Sequence, residues 1–366
     1  MTIRAKAPLR ISFAGGGTDV PPYPARNGGC VLNATIDSFA WGSLRPRQDG
    51  KIRLASADFD LLLEYTTQCE MLLDGQLDLV KAVINRSGIK DSTGFEIFLH
   101  SDAPPGSGLG SSSALIVTLV GLIKEFKNIR LTQYEIAEAA YRIERHDLAI
   151  QGGLQDQYAA SFGGFNFMEF YGDRVVINPL RINPEVLNEF EHNLLLCYTG
   201  KSRRSDRIIE DQTQRLESGN AETVDALTQQ KQLAIDMKSA LMRHKLDDFG
   251  DLLNSAWEAK RRISAKISNP LIDEMYAEAR KHGALGGKIT GAGGGGFILF
   301  YCQFENKHRV AEALTKKMGV EPKDFTFEAQ GLQTWRVQER VQQGVQEIAS
   351  PSGGWDSFSA AYPTAV

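Results

Sequence analysis

The sequence is poor in the features that mark secreted, zinc-binding or membrane proteins. It has 366 residues but only four cysteines, and no two of them form a CxxC pair. This excludes a disulfide framework or a zinc ribbon and favours reduced thiols in the cytoplasm. No apolar run approaches the roughly 20 residues of a membrane-spanning helix, and the N-terminus lacks the apolar core of a signal peptide. We therefore expect a cytoplasmic protein without a membrane partner.

A charge excess is also lacking. Lys and Arg total 41 and Asp and Glu total 45, for a net charge of −4, so no basic surface for nucleic acid is expected. Two common nucleotide-binding patterns are missing as well. No GxxxxGK[ST] loop is present, and no GxGxxG is followed by a ribose-binding acid at the right distance. A P-loop ATPase and a Rossmann dehydrogenase are both disfavoured.

Glycine-rich turns are the feature that stands out. Residues 104–114, PPGSGLGSSSA, hold three glycines and four serines, and an apolar run at 115–123 follows directly. Glycine lets backbone N–H groups approach a bound group, and a helix that begins there adds its positive end. Such a turn predicts an anion site, most often for phosphate. A flexible linker is the alternative, but a linker would not lead straight into a buried helix.

Alternating and helical patterns predict mixed α and β structure. In chain order, a strand at 3–13 ends in the first glycine-rich turn, residues 104–110 form the second, and a third lies at 286–296. Residues 205–281 are predicted to be nearly continuous helix. Thr132 and Glu135 form a capping-box pattern for a helix expected to reach about residue 149. Other expected elements are strands at 30–36, 39–45, 51–55, 297–302 and 325–328, and a helix at 115–127.

The three glycine-rich turns carry a family resemblance. Residues 104–113 resemble the second motif of the GHMP small-molecule kinases, APLRI at 7–11 with the turn after it resembles the first, and KITGAGGGG at 288–296 resembles the third. The motifs follow the family's order over about residues 5–335. Within the superfamily, RISFAGGGTD, GGLQDQ and GLQTW are most similar to the D-glycero-D-manno-heptose 7-phosphate kinases, and fucose-type sugar kinases are close neighbours.

The resemblance implies an α+β fold of two domains with the active site between them. A nucleotide-binding domain similar to ribosomal protein S5 is expected at 1–195 and a ferredoxin-like domain at 196–340, with a polar tail at 341–366. The implied activity is phosphoryl transfer from ATP, with Mg²⁺, to a sugar hydroxyl. Positioning and electrostatics dominate that reaction.

The resemblance also assigns roles to residues. Asp156 matches the catalytic aspartate, and Arg10 matches a cation beside it that keeps it ionised. Ser112 and Glu144 match the magnesium ligands, with Ser111 as the alternative in the triple serine. The expected ATP-phosphate contacts are the backbone groups of Pro105, Gly106, Ser107, Gly108, Leu109, Gly110, Ser111 and Ser112. Taken singly, Arg10 would be a surface strand residue, Glu144 a solvated helix residue and Asp156 a helix cap.

Substrate contacts are expected from three further places. Thr18 and Asp19 match a Thr-Asp pair that hydrogen-bonds sugar hydroxyls, since a carboxylate accepts from adjacent hydroxyls. The other expected contacts are Gly17, Gly293 and Gly294, and, for a phosphate on the sugar, Lys201, Arg203 and Arg204. A short basic run before a helix is more often a solvated face, and a glycine turn into a strand is often only structural.

These residues lead to one hypothesis and two rivals. The hypothesis is an ATP-dependent kinase of the anomeric hydroxyl of D-glycero-D-manno-heptose 7-phosphate, yielding the 1,7-bisphosphate for nucleotide-activated heptose and surface glycan synthesis. One rival is a kinase of an unphosphorylated sugar such as fucose or galactose. The other is a non-catalytic sugar or nucleotide sensor on the same fold. The expected partners are a small-molecule sugar phosphate and ATP, and a homodimer is compatible with the sequence.

Overall fold

The computed structural model describes residues 1–67, 69–89, 94–200 and 206–338. Its strands are β1 (Thr2–Ala14), β2 (Gly29–Arg47), β3 (Lys51–Ser56), β4 (Leu61–Thr66), β5 (Gly94–Ser101), β6 (Phe165–Tyr171), β7 (Arg174–Pro179), β8 (Leu194–Tyr198), β9 (Ala284–Ile289), β10 (Phe297–Cys302), β11 (Pro322–Lys323) and β12 (Gln333–Val337). Its helices are α1 (Tyr23–Asn27), α2 (Asp78–Ser87), α3 (Ser111–Phe126), α4 (Gln133–Arg142), α5 (Gln155–Phe162), α6 (Pro184–Asn193), α7 (Asp206–Glu217), α8 (Ala221–Met242), α9 (Leu246–Ile263), α10 (Pro270–Lys281) and α11 (Asn306–Met318).

The strands form two sheets. In the first the order is β12-β1-β2-β5-β3-β4, with β6 also pairing with β2 and then β7 with β6. In the second the order is β11-β8-β10-β9, and the long helices α7 to α10 intervene between β8 and β9. This order and connectivity are those of a ferredoxin-like sheet. The predicted α+β architecture is confirmed, and β12 returns from the end of the described chain to pair with β1.

The pairing of β1 with β2 corrects one expectation. Separate strands were expected at 30–36 and 39–45, but β2 is continuous. Its register against β1 shifts between Pro8 and Leu9, which face Phe39 and Ile36 respectively. Proline has no N–H to donate, so the ladder is interrupted there by a bulge, and the strand then resumes.

Three other expectations differ at element ends. The capping box at Thr132 is present, but α4 ends at Arg142 and a π-helical turn, Ile143–Asp147, replaces its predicted last turn. α3 begins at Ser111, so the triple serine forms its first turn. The strand predicted at 325–328 is wrong, because the only β pairing there is one bridge between Phe327 and Ile36.

An aromatic cluster joins the second sheet's helices to the first sheet. Phe13 at the end of β1 packs against Phe249 of α9, with 5.5 Å between ring centroids. Phe190 of α6 lies 4.7 Å from Phe249 and 5.6 Å from Phe13. These buried rings fix α9 against the end of β1, and the first glycine-rich turn lies just after that point.

The remaining sequence expectations concern thiols and membranes. Within the described ranges all four cysteines are free, and only Cys69 is exposed. In the same part of the chain, no helix has both the length and the apolar character needed to cross a bilayer.

Candidate active site

The three glycine-rich turns meet at one cleft between the two sheets. The second and third are in direct contact: a methyl group on Gly108 would lie 2.4 Å from the carbonyl oxygen of Thr290. The backbone N–H of Phe297, after the third turn, donates to the carbonyl of Ser107 at 2.9 Å. Only glycine permits so close an approach of two backbones. The structure thus brings together turns that lie around residues 16, 108 and 293 in the sequence.

The second turn has the geometry of an anion cradle. Gly106, Gly108 and Gly110 have φ values of 73°, 81° and 76°, which side chains rarely adopt. α3 starts immediately afterwards, and no side chain caps its first N–H groups. Those groups and the helix dipole face the cleft, so the turn is suited to phosphate oxygens.

The other residues predicted for this loop have mainly structural positions. Leu109 is fully buried, and its carbonyl accepts from the Arg10 backbone N–H at 2.9 Å. Ser107 is buried with its carbonyl bonded to Phe297, and Pro105 is exposed outside the cleft lining. The predicted residues that do line the cleft are Gly106, Gly108, Gly110, Ser111 and Ser112.

A buried arginine holds the predicted catalytic carboxylate. Arg10, on β1, donates through Nε to Asp156 Oδ1 at 2.7 Å and through Nη2 to Oδ2 at 2.9 Å. Its Nη1 donates to the carbonyl of Gly108 at 2.7 Å. Asp156 lies in the first turn of α5 and keeps 21% of its side chain exposed to the cleft. The bidentate pair fixes the orientation of Asp156 beside the phosphate loop.

Glu144 lies opposite the start of α3. Its Oε1 accepts from Ser112 Oγ at 2.7 Å, and its Oε2 accepts from Ser113 Oγ at 2.7 Å and from Gln157 Nε2 at 2.6 Å. The π-helical turn directs this carboxylate inward, so Glu144 is only 2% exposed. The solvated-face interpretation of Glu144 is therefore excluded.

The Ser112–Glu144 pair fits a magnesium ion. Mg²⁺ prefers oxygen ligands and usually combines one or two protein groups with phosphate oxygens and water. Within the described ranges, no cluster of three or more His, Cys, Asp or Glu side chains could hold a metal by itself. A serine and a glutamate at the phosphate loop are the smaller donor set that a nucleotide-bound ion requires.

The two residues of the predicted Thr18–Asp19 pair have different surroundings. The Thr18 hydroxyl donates to the carbonyls of Gly15 and Cys30 and accepts from the Cys30 N–H. Thr18 is fully buried and outside the cleft lining, and these bonds stabilise the turn. Its role as a sugar contact stays a prediction. Asp19 and Gly17 do line the cleft. Burial, and then the nearby Asp156 carboxylate, raise the pKa of Asp19.

The two glycines predicted as substrate contacts in the third turn also differ in position. Gly293 lines the cleft, but Gly294 does not. The Gly294 N–H donates to the Ile267 carbonyl at 2.7 Å, and its own carbonyl accepts from Asn269. Gly294 thus has a structural position, and its substrate role stays a prediction. Lys201, Arg203 and Arg204 lie outside the described residues and stay a prediction.

Sequence reasoning missed several polar side chains of the cleft, namely Ser12, Ser113, Arg145, Gln151, Gln155, Gln212, Lys260 and Thr290. Ser12 could have been found, because it is two residues after Arg10 and alternate strand residues share a face. Lys260 could also have been found, since it continues the buried stripe of α9 through Phe249, Leu253 and Ala256. A lysine in an apolar stripe is itself informative.

Lys260 is a buried cation with unusual electrostatics. It is 5% exposed, and burial is the main cause that lowers its pKa to about 8. The Asp19 carboxylate acts in the opposite direction and raises this pKa, whereas the Arg10 guanidinium lowers it further. Lys288 of β9 is buried beside it and donates to the Ser12 carbonyl at 2.6 Å. Burial, then Lys260 and Arg10, lower the pKa of Lys288. The cleft therefore concentrates positive charge around Asp19 and Asp156.

We expect Lys260→Met to stabilise the fold at pH 7. The pKa of Lys260 is about 8 in the folded protein, below its ordinary value of 10.5. At pH 7 the ammonium is therefore charged in both states, and the folded state bears its full desolvation cost. That cost falls as pH rises from 8 towards 10.5. Methionine removes it, for a gain of at most about 3 kcal/mol in the free energy of unfolding at pH 7.

Urea unfolding at pH 7 and pH 9.5 measures this effect. The advantage of Lys260→Met over wild type should shrink at pH 9.5. Lys245→Met is the control, because Lys245 is 60% exposed in a surface ion pair with Asp248 and its removal should change stability by less than about 1 kcal/mol. A Lys260→Met protein less stable than wild type would show that Lys260 is bound by a structural partner.

Comparison with known proteins agrees with the fold and the cleft. The GHMP kinases N terminal domain matches residues 77–164, and the GHMP kinases C terminal domain matches residues 237–320. The D-glycero-alpha-D-manno-heptose 7-phosphate kinase of Campylobacter jejuni is 42% identical over 341 residues, covering 92% of this chain and 99% of that protein.

Solved structures give the same result. The crystal structure of a D-glycero-D-manno-heptose 1-phosphate kinase from Bacteroides thetaiotaomicron has a TM-score of 0.78 at 34% identity, over 92% of this chain and all of that one. Lactococcus lactis galactokinase in complex with galactose has a TM-score of 0.70 at 20% identity, over 91% of this chain and 95% of that one, and shares the fold. The chain belongs to the GHMP kinase family. It is an ATP-dependent sugar kinase.

Proposed function

We propose that this protein transfers the γ-phosphoryl group of ATP to the anomeric hydroxyl of D-glycero-D-manno-heptose 7-phosphate, producing the 1,7-bisphosphate. The bidentate contact of Arg10 with Asp156, at 2.7 and 2.9 Å beside the phosphate loop, carries the catalytic part of the proposal. The 42% identity to a heptose 7-phosphate kinase over 92% of the chain supports the acceptor.

Asp156 is the group that handles the proton in this proposal. Its carboxylate takes the proton of the acceptor hydroxyl as the hydroxyl oxygen attacks the γ-phosphorus. The bond between the γ-phosphorus and the oxygen that bridges the β- and γ-phosphates breaks, and ADP leaves with that oxygen. Arg10 holds both oxygens of the Asp156 carboxylate in place. The exposed fifth of Asp156 is the part that faces the cleft.

The backbone and the Ser112–Glu144 pair carry the nucleotide side. Backbone N–H groups at the start of α3 would hold the phosphate oxygens without a proton transfer. Ser112 and Glu144, 2.7 Å apart, would hold Mg²⁺. When bound there, the ion supplies neutralisation of the phosphate charge that develops during transfer. Ser113 and Gln157 keep the Glu144 carboxylate in its position.

The two heptose kinases among the relatives differ in the phosphate position that their names give. One acts on a 7-phosphate and the other on a 1-phosphate. Phosphorylation of a heptose 1-phosphate at O7 would give the same 1,7-bisphosphate, so the product alone does not identify the acceptor. The second candidate function is therefore a kinase of the heptose 1-phosphate.

An ADP-release assay over a panel of acceptors tests the proposal. We expect turnover with D-glycero-D-manno-heptose 7-phosphate at least about 100-fold above that with fucose, galactose or mannose, since a site built for polar groups rejects ligands that lack them. The same margin is expected over the 1-phosphate, because its anomeric oxygen is already phosphorylated. Phosphorus NMR should show a new anomeric phosphate. Preference for the 1-phosphate or for a free sugar would overturn the proposed acceptor, and no turnover with any sugar would favour a sensor.

A further inference from the structure

Gly16 marks a small open space in the cleft. A methyl group built on Gly16 would lie 3.5 Å from Ser12 Oγ, 3.7 Å from Gln155 Nε2 and 3.9 Å from Lys260 Nζ. Side chains from β1, α5 and α9 thus converge on one point. Gly16 does not have a positive φ, and these distances are ordinary contacts for a methyl group. The glycine is therefore not needed for backbone conformation, and it leaves room beside three polar groups.

The three residues around this space are buried, and in Gln155 the unpaired atom is the amide oxygen, bonded to the same carbon as the Nε2 that lies nearest Gly16. Within the part of the chain that the structure describes, Ser12 Oγ and Gln155 Oε1 have no hydrogen-bond partner. Lys260 is 5% exposed and, among the same residues, no hydrogen bond or ion pair engages its Nζ. Buried polar groups are normally paired because an unmade bond costs free energy. Three together in one cleft indicate that a ligand completes their bonding.

Asp19 determines which atom of Gln155 is available. Asp19 Oδ2 accepts from the backbone N–H of Gln155 at 3.1 Å and from its Nε2 at 3.3 Å. The reverse amide orientation would place two acceptor oxygens against each other. Gly153 permits this approach, because a methyl group there would lie 1.9 Å from Asp19 Oδ2. Asp19 is thus a positioning residue that leaves Gln155 Oε1 as a free acceptor.

The available atoms match sugar hydroxyls. Gln155 Oε1 can only accept a hydrogen bond, the Lys260 ammonium can only donate, and the Ser12 hydroxyl can do both. A phosphate dianion, which has only acceptors, would be repelled by the Gln155 carbonyl. Neighbouring hydroxyls, each able to donate and accept, satisfy all three groups. Gln155 directly precedes Asp156, and Ser12 shares a strand face with Arg10, so the space adjoins the proposed site of proton transfer.

We propose that Ser12, Gln155 and Lys260 form a subsite over Gly16 that binds the ring hydroxyls next to the accepting hydroxyl of the sugar. The subsite rests on the proposed sugar kinase function and extends it to residues that orient the acceptor. It would distinguish a polyhydroxylated acceptor from an alcohol with one hydroxyl group.

Steady-state kinetics of Ser12→Ala and Gly16→Ala test the subsite. Ser12→Ala removes one ligand bond, and Gly16→Ala fills the space with a methyl group that the free protein tolerates. We expect the KM for the sugar to rise about 10-fold or more in each variant, with the KM for ATP changed less than about twofold. Ser161→Ala is the matched control: Ser161 Oγ is also buried without a partner among the described residues, but Ser161 lies outside the cleft lining. It should leave both KM values unchanged.

The acceptor used for the variants is the sugar of the panel that the wild-type protein phosphorylates best. A wild-type preference for a free hexose would overturn the proposed acceptor, and the subsite would then be judged by the KM for that hexose. Unchanged sugar KM values in folded Ser12→Ala and Gly16→Ala proteins would overturn the subsite alone. If Gly16→Ala unfolds, Gln155→Leu replaces it with the same expected rise. Neither turnover nor thermal stabilisation with any sugar would overturn both proposals.

Discussion

Asp156→Asn is expected to lower kcat by about 10³-fold while the affinity for ATP stays within about twofold. Asparagine keeps the shape of the side chain but cannot accept the hydroxyl proton. The phosphate loop is formed by backbone groups of the second glycine-rich turn, and Arg10 still contacts the Gly108 carbonyl at 2.7 Å, so the nucleotide site should persist. Steady-state turnover measures kcat, and calorimetry with a non-hydrolysable ATP analogue in the absence of sugar measures the nucleotide affinity.

The chain provides a matched control for this substitution. Asp147 accepts two hydrogen bonds from Arg86, at 2.9 and 2.8 Å, in an arginine–carboxylate contact outside the cleft lining. Asp147→Asn should therefore alter stability slightly and leave kcat unchanged. A kcat for Asp156→Asn within tenfold of wild type would remove Asp156 from proton transfer and leave it only an orienting role. An equal loss of kcat in Asp147→Asn would show that breaking any arginine–carboxylate contact lowers activity, without a specific role for Asp156.

Glu144→Gln is expected to lower kcat by about 100-fold and to raise the Mg²⁺ concentration needed for half-maximal activity by more than tenfold. The amide keeps the size of the group and can still bond to Ser113 and Gln157, but it lacks the negative charge that a divalent cation requires. A Mg²⁺ titration at saturating ATP and sugar measures both changes. The loss of kcat should be smaller at high Mg²⁺ concentration.

Glu169→Gln is the control for Glu144→Gln. Glu169 of β6 accepts from Tyr171 at 2.9 Å and from Asn178 at 2.9 Å, away from the cleft lining. It should show wild-type Mg²⁺ dependence. If Glu144→Gln loses activity with no change in the Mg²⁺ requirement, Glu144 acts by positioning α3 and the proposed metal role is wrong.

Local chemistry explains what the sequence could predict. The capping box at Thr132 needs only residues three positions apart, and both of its hydrogen bonds are present. The phosphate loop needs only glycines followed by an apolar helix. The proximity of Arg10, Glu144 and Asp156 required the family's motif order as well, because 146 residues separate Arg10 from Asp156.

Long-range packing explains what the sequence could not predict. Thr18 is next to Asp19 in the sequence, which suggested a shared role. Its hydroxyl is instead hydrogen-bonded to the backbone of Cys30, twelve residues away at the start of β2. Lys260 reaches the cleft only because α9 packs against the end of β1 through Phe249 and Phe13. Gly294 is bonded by Ile267, a residue of the loop before α10. The pattern of apolar and polar residues within one helix or strand carries no information about contacts between distant segments.

The return of β12 to β1 has a consequence for how the protein is made. β1 leaves the ribosome well before β12, with which it pairs from Thr2 to Lys6 against Gln333 to Val337. Synthesis of the intervening residues takes on the order of tens of seconds at about 5–20 residues per second. During that time one edge of β1 lacks its final neighbour, and exposed strand edges are sites of aggregation. A nascent chain of this kinase therefore keeps an unpaired strand edge at Thr2–Lys6 until Gln333–Val337 has emerged.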